Sequence, residues 1–127
     1  MANTQPIFTA TAQSAMAQIS TANTNRDGTG TIGTVLTAGA SGTRIFRIYI
    51  KATGTTTAGM VRLYIHDGAN YRLWREYQVT AITPTASTKT WEAEEVFYDF
   101  SIPTGYSLRA STHNAETFNV FAMAGDF

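Results

Sequence analysis

The sequence predicts an all-β fold: a single antiparallel β-sandwich, jelly-roll-like or immunoglobulin-like, with an extended N-terminal arm. Three observations point there. Apolar and polar residues alternate at period two, short alternating segments are separated by turn-forming clusters, and the composition is rich in Thr, Gly and Ala but poor in Leu and Lys. Period-two alternation sends successive side chains to opposite faces of a sheet, and this composition favours strands and turns over helices.

Residues 1–30 are polar and small, with no regular apolar pattern. They predict an arm that is extended or partly ordered, ahead of a sandwich domain over residues 31–127. Within and just after the arm, residues 16–20 and 31–37 give weak strand signals, and "TAQSAMAQIS" is the best refuge for a helix. The clearest strands follow. In "RIFRIYIK" Phe46, Ile48 and Ile50 form an apolar face opposite Arg47 and Lys51; in "GMVRLYIH" Val61, Leu63 and Ile65 oppose Arg62, Tyr64 and His66. Further strands are expected over residues 71–79, 91–100, 106–111 and 117–124. They are bounded by clusters such as "ATGTTTAG", "TPTAST", "IPTG" and "STHNAE", whose residues favour turns. About eight short strands at this spacing imply a sandwich or barrel.

The hairpin after "GMVRLYIH" has two possible registers. A two-residue Asp-Gly turn would set Leu63 opposite Arg72 and spoil the apolar face, because register and face are locked together. Pairing Leu63 with Leu73 keeps the face apolar and makes Asp67-Gly68-Ala69 a three-residue loop, with His66 an outward residue without chemistry.

A chain of 127 residues suits one domain that buries roughly two-thirds of its unfolded surface. The absence of cysteine removes disulfides, thiolate zinc sites and cysteine nucleophiles together. Nine basic residues balance nine acidic ones, so the chain lacks the net positive field that nucleic-acid binding normally uses. No apolar run approaches the roughly 20 residues of a membrane span, and "MANTQPIFTATAQSAMAQIS" lacks the pattern of a signal peptide. Neither a nucleic-acid nor a membrane partner is expected.

Gly28, Gly30 and Gly33 in "GTGTIG" have dinucleotide-loop spacing, but such a loop needs a strand before it and a helix after it. Neither is predicted here, so the glycines are expected to serve turns. Glu92 and Glu94 share a strand face and could sit at the separation of a glycosidase pair; a solvated strand end facing cations is the plainer expectation. His66 and His113 each close a strand beside Asp67 or Asn114 and could meet to bind a metal, but a third ligand is lacking. The expectation is therefore no catalytic residue, no metal and no cofactor. The outward residues Arg62, Tyr64, Arg72 and Trp74 mix aromatics with arginines. With Leu63 opposite Leu73 they would form cation–π pairs, and they are the expected interface.

The segments "TVLTAGASGTRI", "IKATGTTTAGMVRLYIHDGANYRLWRE" and "GYSLRASTHNAETFNVFAMAGDF" resemble small proteins encoded by tailed bacteriophages and prophages, over about residues 16–127. The resemblance implies a virion component. A neutral sandwich without an enzymatic constellation matches a capsid decoration, or cement, protein. Such a protein would be made in the host cytoplasm, bind the major capsid protein at the capsid surface and assemble as a homotrimer, with no cofactor. The alternative is a glycan- or receptor-binding module of a head or tail fibre.

Overall fold

The computed structural model describes residues 9–127. Among them are nine strands: β1 (Thr11–Ala12), β2 (Ala15–Ile19), β3 (Gly33–Thr37), β4 (Thr43–Ala52), β5 (Gly59–His66), β6 (Tyr71–Val79), β7 (Glu92–Ile102), β8 (Ser107–Thr112) and β9 (Phe118–Asp126). All strand pairs are antiparallel. Sheet A has the order β1-β9-β4-β7, with β2 also on β9, and sheet B has the order β3-β8-β5-β6. The fold is the expected all-β sandwich.

The wiring selects between the two kinds of sandwich. From the β5–β6 hairpin outwards, β4 pairs with β7, β3 with β8 and β2 with β9. Successive pairs fall in alternate sheets. This is one long hairpin ribbon rolled around a core, the jelly-roll topology. An immunoglobulin sandwich groups its strands differently. Residues 1–8 of the expected arm lie outside the described residues. Residues 11–19 run along β9 as the edge of sheet A, and residues 21–31 cross the outer face of sheet B.

The core lies between the sheets. Ile48, Ile50, Val61, Leu63, Leu108, Ala110, Phe118, Val120 and Ala122 are buried in it, and Trp91 meets Phe118 edge-on at a centroid distance of 5.7 Å. The expected alternation in β4 is corrected at Phe46. Thr43 and Ile45 are buried on one parity, Ile48, Ile50 and Ala52 on the other. The register with β9 slips between Ile45 and Arg47, because a bulge at Phe46 exchanges the faces. Ile45 therefore takes the core position, and Phe46 lies under the Arg44 guanidinium at 5.1 Å.

A second bulge corrects the β5–β6 register. Leu63 pairs with Arg75, Tyr64 with Leu73 and His66 with Tyr71, so Trp74 is the additional residue. It turns inward and stacks on Phe100, with centroids 4.5 Å apart and planes 20° apart. The ring thus gains core contacts that strict alternation would deny it. The loop also differs from the expected Asp67-Gly68-Ala69: with His66 opposite Tyr71, Asp67 to Asn70 lie between the strands, and Asp67 N donates to Asn70 O at 3.2 Å. Gly68 takes a φ of 97°, a conformation that costs glycine little. Asp67 Oδ1 accepts from Ala69 N at 3.0 Å and Asn70 N at 2.8 Å, and these bonds hold its carboxyl below the usual range, that from Asn70 foremost.

Candidate functional site

The four residues expected at an interface do not share a face. Arg62 and Tyr64 point outward from sheet B, yet they are 1% and 0% exposed. Residues 21–31 form a strap over them. Asn23 N donates to Thr112 O at 2.8 Å, Tyr64 Oη donates to Asn25 O at 2.9 Å, and Arg62 Nη1 donates to Asn23 O at 3.3 Å. Arg72 is exposed, whereas Trp74 lies inward. The expected cation–π pairs of Arg62 with Trp74 and Tyr64 with Arg72 are replaced, because the bulge moves the register. Arg62 faces Glu76 and Tyr64 faces Leu73, while Arg75 is the cation over Trp74, at 4.8 Å.

The strap is internally braced. Asn23 Nδ2 donates to Thr29 O and Thr31 O at 2.9 and 3.0 Å, and Asn23 Oδ1 accepts from Asn25 N at 3.0 Å. Gly28 has a φ of 88°, and a Cβ there would lie 2.8 Å from Tyr71 Cβ. Two of the three glycines with dinucleotide-loop spacing therefore serve the strap's turns, and Gly33 opens β3.

Glu76 joins strap to sheet. Its Oε2 accepts from Arg26 Nε at 2.6 Å and Arg62 Nε at 2.9 Å. The Arg26 hydrogen bond is the main cause that holds its carboxyl below the ordinary 4.5, with Arg62 acting in the same direction and burial opposing. A depressed carboxylate adds stability that is complete above its unfolded value and is lost as pH falls through the folded one. Acid is thus expected to loosen the strap only below about pH 4. Hydrogen exchange at Asn23 N, measured from pH 6 to pH 3, should show protection falling ahead of the core amides.

The other candidates separate. His66 and His113 sit at opposite ends of β5. The His66 ring rests on Tyr71 at 4.3 Å, and its Nδ1 accepts from Gly68 N at 3.3 Å. His113 N donates to Met60 O, and its Nδ1 lies 3.4 Å from Arg62 Nη1. Glu92 bonds Lys51 at 2.8 Å, and Glu94 faces Arg47 at 3.7 Å. Among the described residues no three His, Cys, Asp or Glu converge as metal ligands, and no helix is long and apolar enough to cross a membrane.

Among the described residues no strap crosses the outer face of sheet A. Register builds it in rows: Gln18, Asn119, Lys51 and Glu92 in one, Met16, Phe121, Tyr49 and Glu94 in the next, and Met123, Arg47 and Val96 in a third. The first row is polar, with Gln18 Nε2 donating to Asn119 Oδ1 at 2.9 Å. The second is apolar across three strands, with the Tyr49 and Phe121 rings 6.3 Å apart. Of the exposed large apolar residues among those described, Met16 (73%), Val96, Tyr98 (81%) and Met123 belong to sheet A and Leu73 to sheet B. A groove of about 240 Å³ runs along Met16, Ala17, Gln18, Asn119 and Phe121. The Tyr49 phenol is held above its ordinary value by burial first and Glu92 second.

Contiguous exposed apolar surface of this kind marks contact sites. The chemistry available is binding through aromatic and thioether surface, framed by cations and carboxylates that already neutralise one another. Sequence reasoning assigned the contact face to sheet B because nothing local announces that a polar segment will cover it. The pointer to sheet A was present in the outward positions Tyr49, Val96, Phe121 and Met123, which break the polar side of the alternation.

No protein-family model matches the sequence, and no curated protein matches it. Among solved structures, the chain is similar to a pentameric capsid protein isolated from metagenomic phage sequences. Identity is 11% and the TM-score 0.47, over 98% of this chain and 68% of that one, a likeness too loose to assign a role.

Proposed function

We propose that this chain is a structural component of a tailed-phage particle: a decoration protein that docks on the capsid shell through the outer face of sheet A and acts by binding alone. The observation that carries this reading is the apolar row Met16, Phe121 and Tyr49, flanked by Met123 and Val96 on the sheet that no other described residue crosses. Jelly rolls serve in viral capsids, but also in lectins and cupins, so topology alone does not choose among roles. The surface supports the choice. Its charges are paired, as Lys51 with Glu92 and Arg47 with Glu94, and its exposed remainder is aromatic and aliphatic, the composition of interface centres. The resemblance of the strand and turn segments to phage virion proteins names the setting, and the major capsid protein is the proposed partner.

Sedimentation with capsid shells tests the reading. The double variant Tyr49→Ser, Phe121→Ser is expected to lose about 2 kcal/mol of binding, roughly thirtyfold in affinity, while the variant stays folded by circular dichroism. Undiminished binding by the double variant would remove sheet A from the contact.

A further inference from the structure

The four sheet edges are not alike. β7, one edge of sheet A, carries Glu92, Glu94, Glu95 and Asp99 and has a register shift against β4. β6, one edge of sheet B, carries Arg72, Arg75 and Glu76 with a bulge. β3 is five residues long and is itself irregular between Thr34 and Leu36. Charges, bulges and shortness are the means by which sheets discourage further pairing. The fourth edge, β1 and β2 of two and five residues, has neither charge nor bulge. It holds one register against β9 from Thr11 opposite Asp126 to Ile19 opposite Phe118, and "TAQSAMAQI" contains no charge, proline or glycine.

Its outward donors can be identified. Gln13 N donates to Ala124 O at 2.9 Å, so Gln13 and alternate residues after it bond inward to β9, while Ser14, Met16 and Gln18 turn their N–H and C=O groups away. Among the described residues no strand pairs with that side. We infer that this edge pairs antiparallel with the same edge of a second copy of the chain, across a two-fold axis at Met16. In that register Met16 opposes Met16 and Ser14 opposes Gln18, all outward-bonding positions, giving up to about six N–H···O bonds. The pairing is isologous, so one patch serves both copies. A second copy matches this edge because it holds one register and is uncharged; β7 would bring its carboxylates beside Met16, and β3 is irregular between Thr34 and Leu36. The axis also sets Met16, 73% exposed in the single chain, beside its own copy on the outer face and so extends the apolar row across both chains.

This pairing does not depend on the virion reading, and its test is separate from shell binding. Light scattering of the full chain at about 100 μM should give twice the chain mass, with Met16 and Gln18 amides slow to exchange. Ser14→Pro removes an outward N–H while sparing the ladder to β9, and Met16→Lys sets two cations together at the axis. Each is expected to weaken pairing at least tenfold and give the single-chain mass, with the far-ultraviolet spectrum of the parent. A single-chain mass for the parent overturns the inference, including when those amides are protected, which would put the chain's own N-terminal residues on the edge. A three-chain mass favours the trimer implied by the phage resemblance and also overturns it, as does a paired mass that survives both substitutions.

Discussion

Phe118→Ala is expected to lower stability by about 3–5 kcal/mol, the cost of truncating a fully packed aromatic. Phe118 is 1% exposed, begins β9 opposite both Ile19 and Ala52, and meets the Trp91 ring edge-on. Truncation removes contacts toward β2 and β4 and leaves Trp91 without its partner, so collapse around the space can recover little. Chemical denaturation should show the loss as a lower midpoint with an unchanged slope. Phe121→Ala, three residues along the same strand but on the outer face, should cost much less. Equal losses at the two positions would contradict the assignment of faces in β9.

Glu76→Gln is expected to cost about 2 kcal/mol. Removing one partner of a buried ion pair typically costs about 3–5 kcal/mol; here the Glu76 side chain is 30% exposed, and water reduces the penalty. What remains is an Arg62 guanidinium, 2% exposed at its side chain, without its counter-charge, and a strap whose Arg26 has lost its bond. Locally opened segments are cut in proportion to their open population, so trypsin should cleave after Arg26 roughly tenfold faster in the variant. Replacing Arg62 by Met in the same background should restore part of the stability, because an uncompensated charge no longer needs burying. An unchanged cleavage rate would show that Glu76 does not hold the strap.

The strands were legible because alternation is a local signal. "RIFRIYIK" and "GMVRLYIH" stand out, and β5, β6, β8 and β9 begin and end within a few residues of the expected bounds. The bulges at Phe46 and Trp74 were not legible. Each inserts one residue whose placement is decided by a neighbouring strand, and parity read along a single segment cannot reveal it. The Leu63–Leu73 pairing failed for that reason. Arg62 and Tyr64 looked like surface residues because they occupy the polar side of an alternating strand. Their cover comes from a stretch nearly forty residues earlier in sequence, rich in Asn, Thr and Gly and lacking any apolar period. The turn residues Asn23, Asn25, Asp27 and Gly28 marked a structured segment, but not which face it would cross.

Taken together, the strap and the bare sheet divide the molecule into a face turned on itself and a face turned outward. Sheet B closes its outer side with residues 21–31 and the Arg26–Glu76–Arg62 bridge. Among the described residues none gives such cover to Met16, Phe121, Tyr49, Met123 and Val96 on sheet A. The central claim is that this second face meets the capsid shell. A particle reconstruction that resolves the strands of this chain tests it most directly: the proposal predicts the jelly roll on the capsid surface, with sheet A against the shell and the strap facing solvent. Density for the chain away from the capsid, or on the capsid with the strap at the contact, would contradict it.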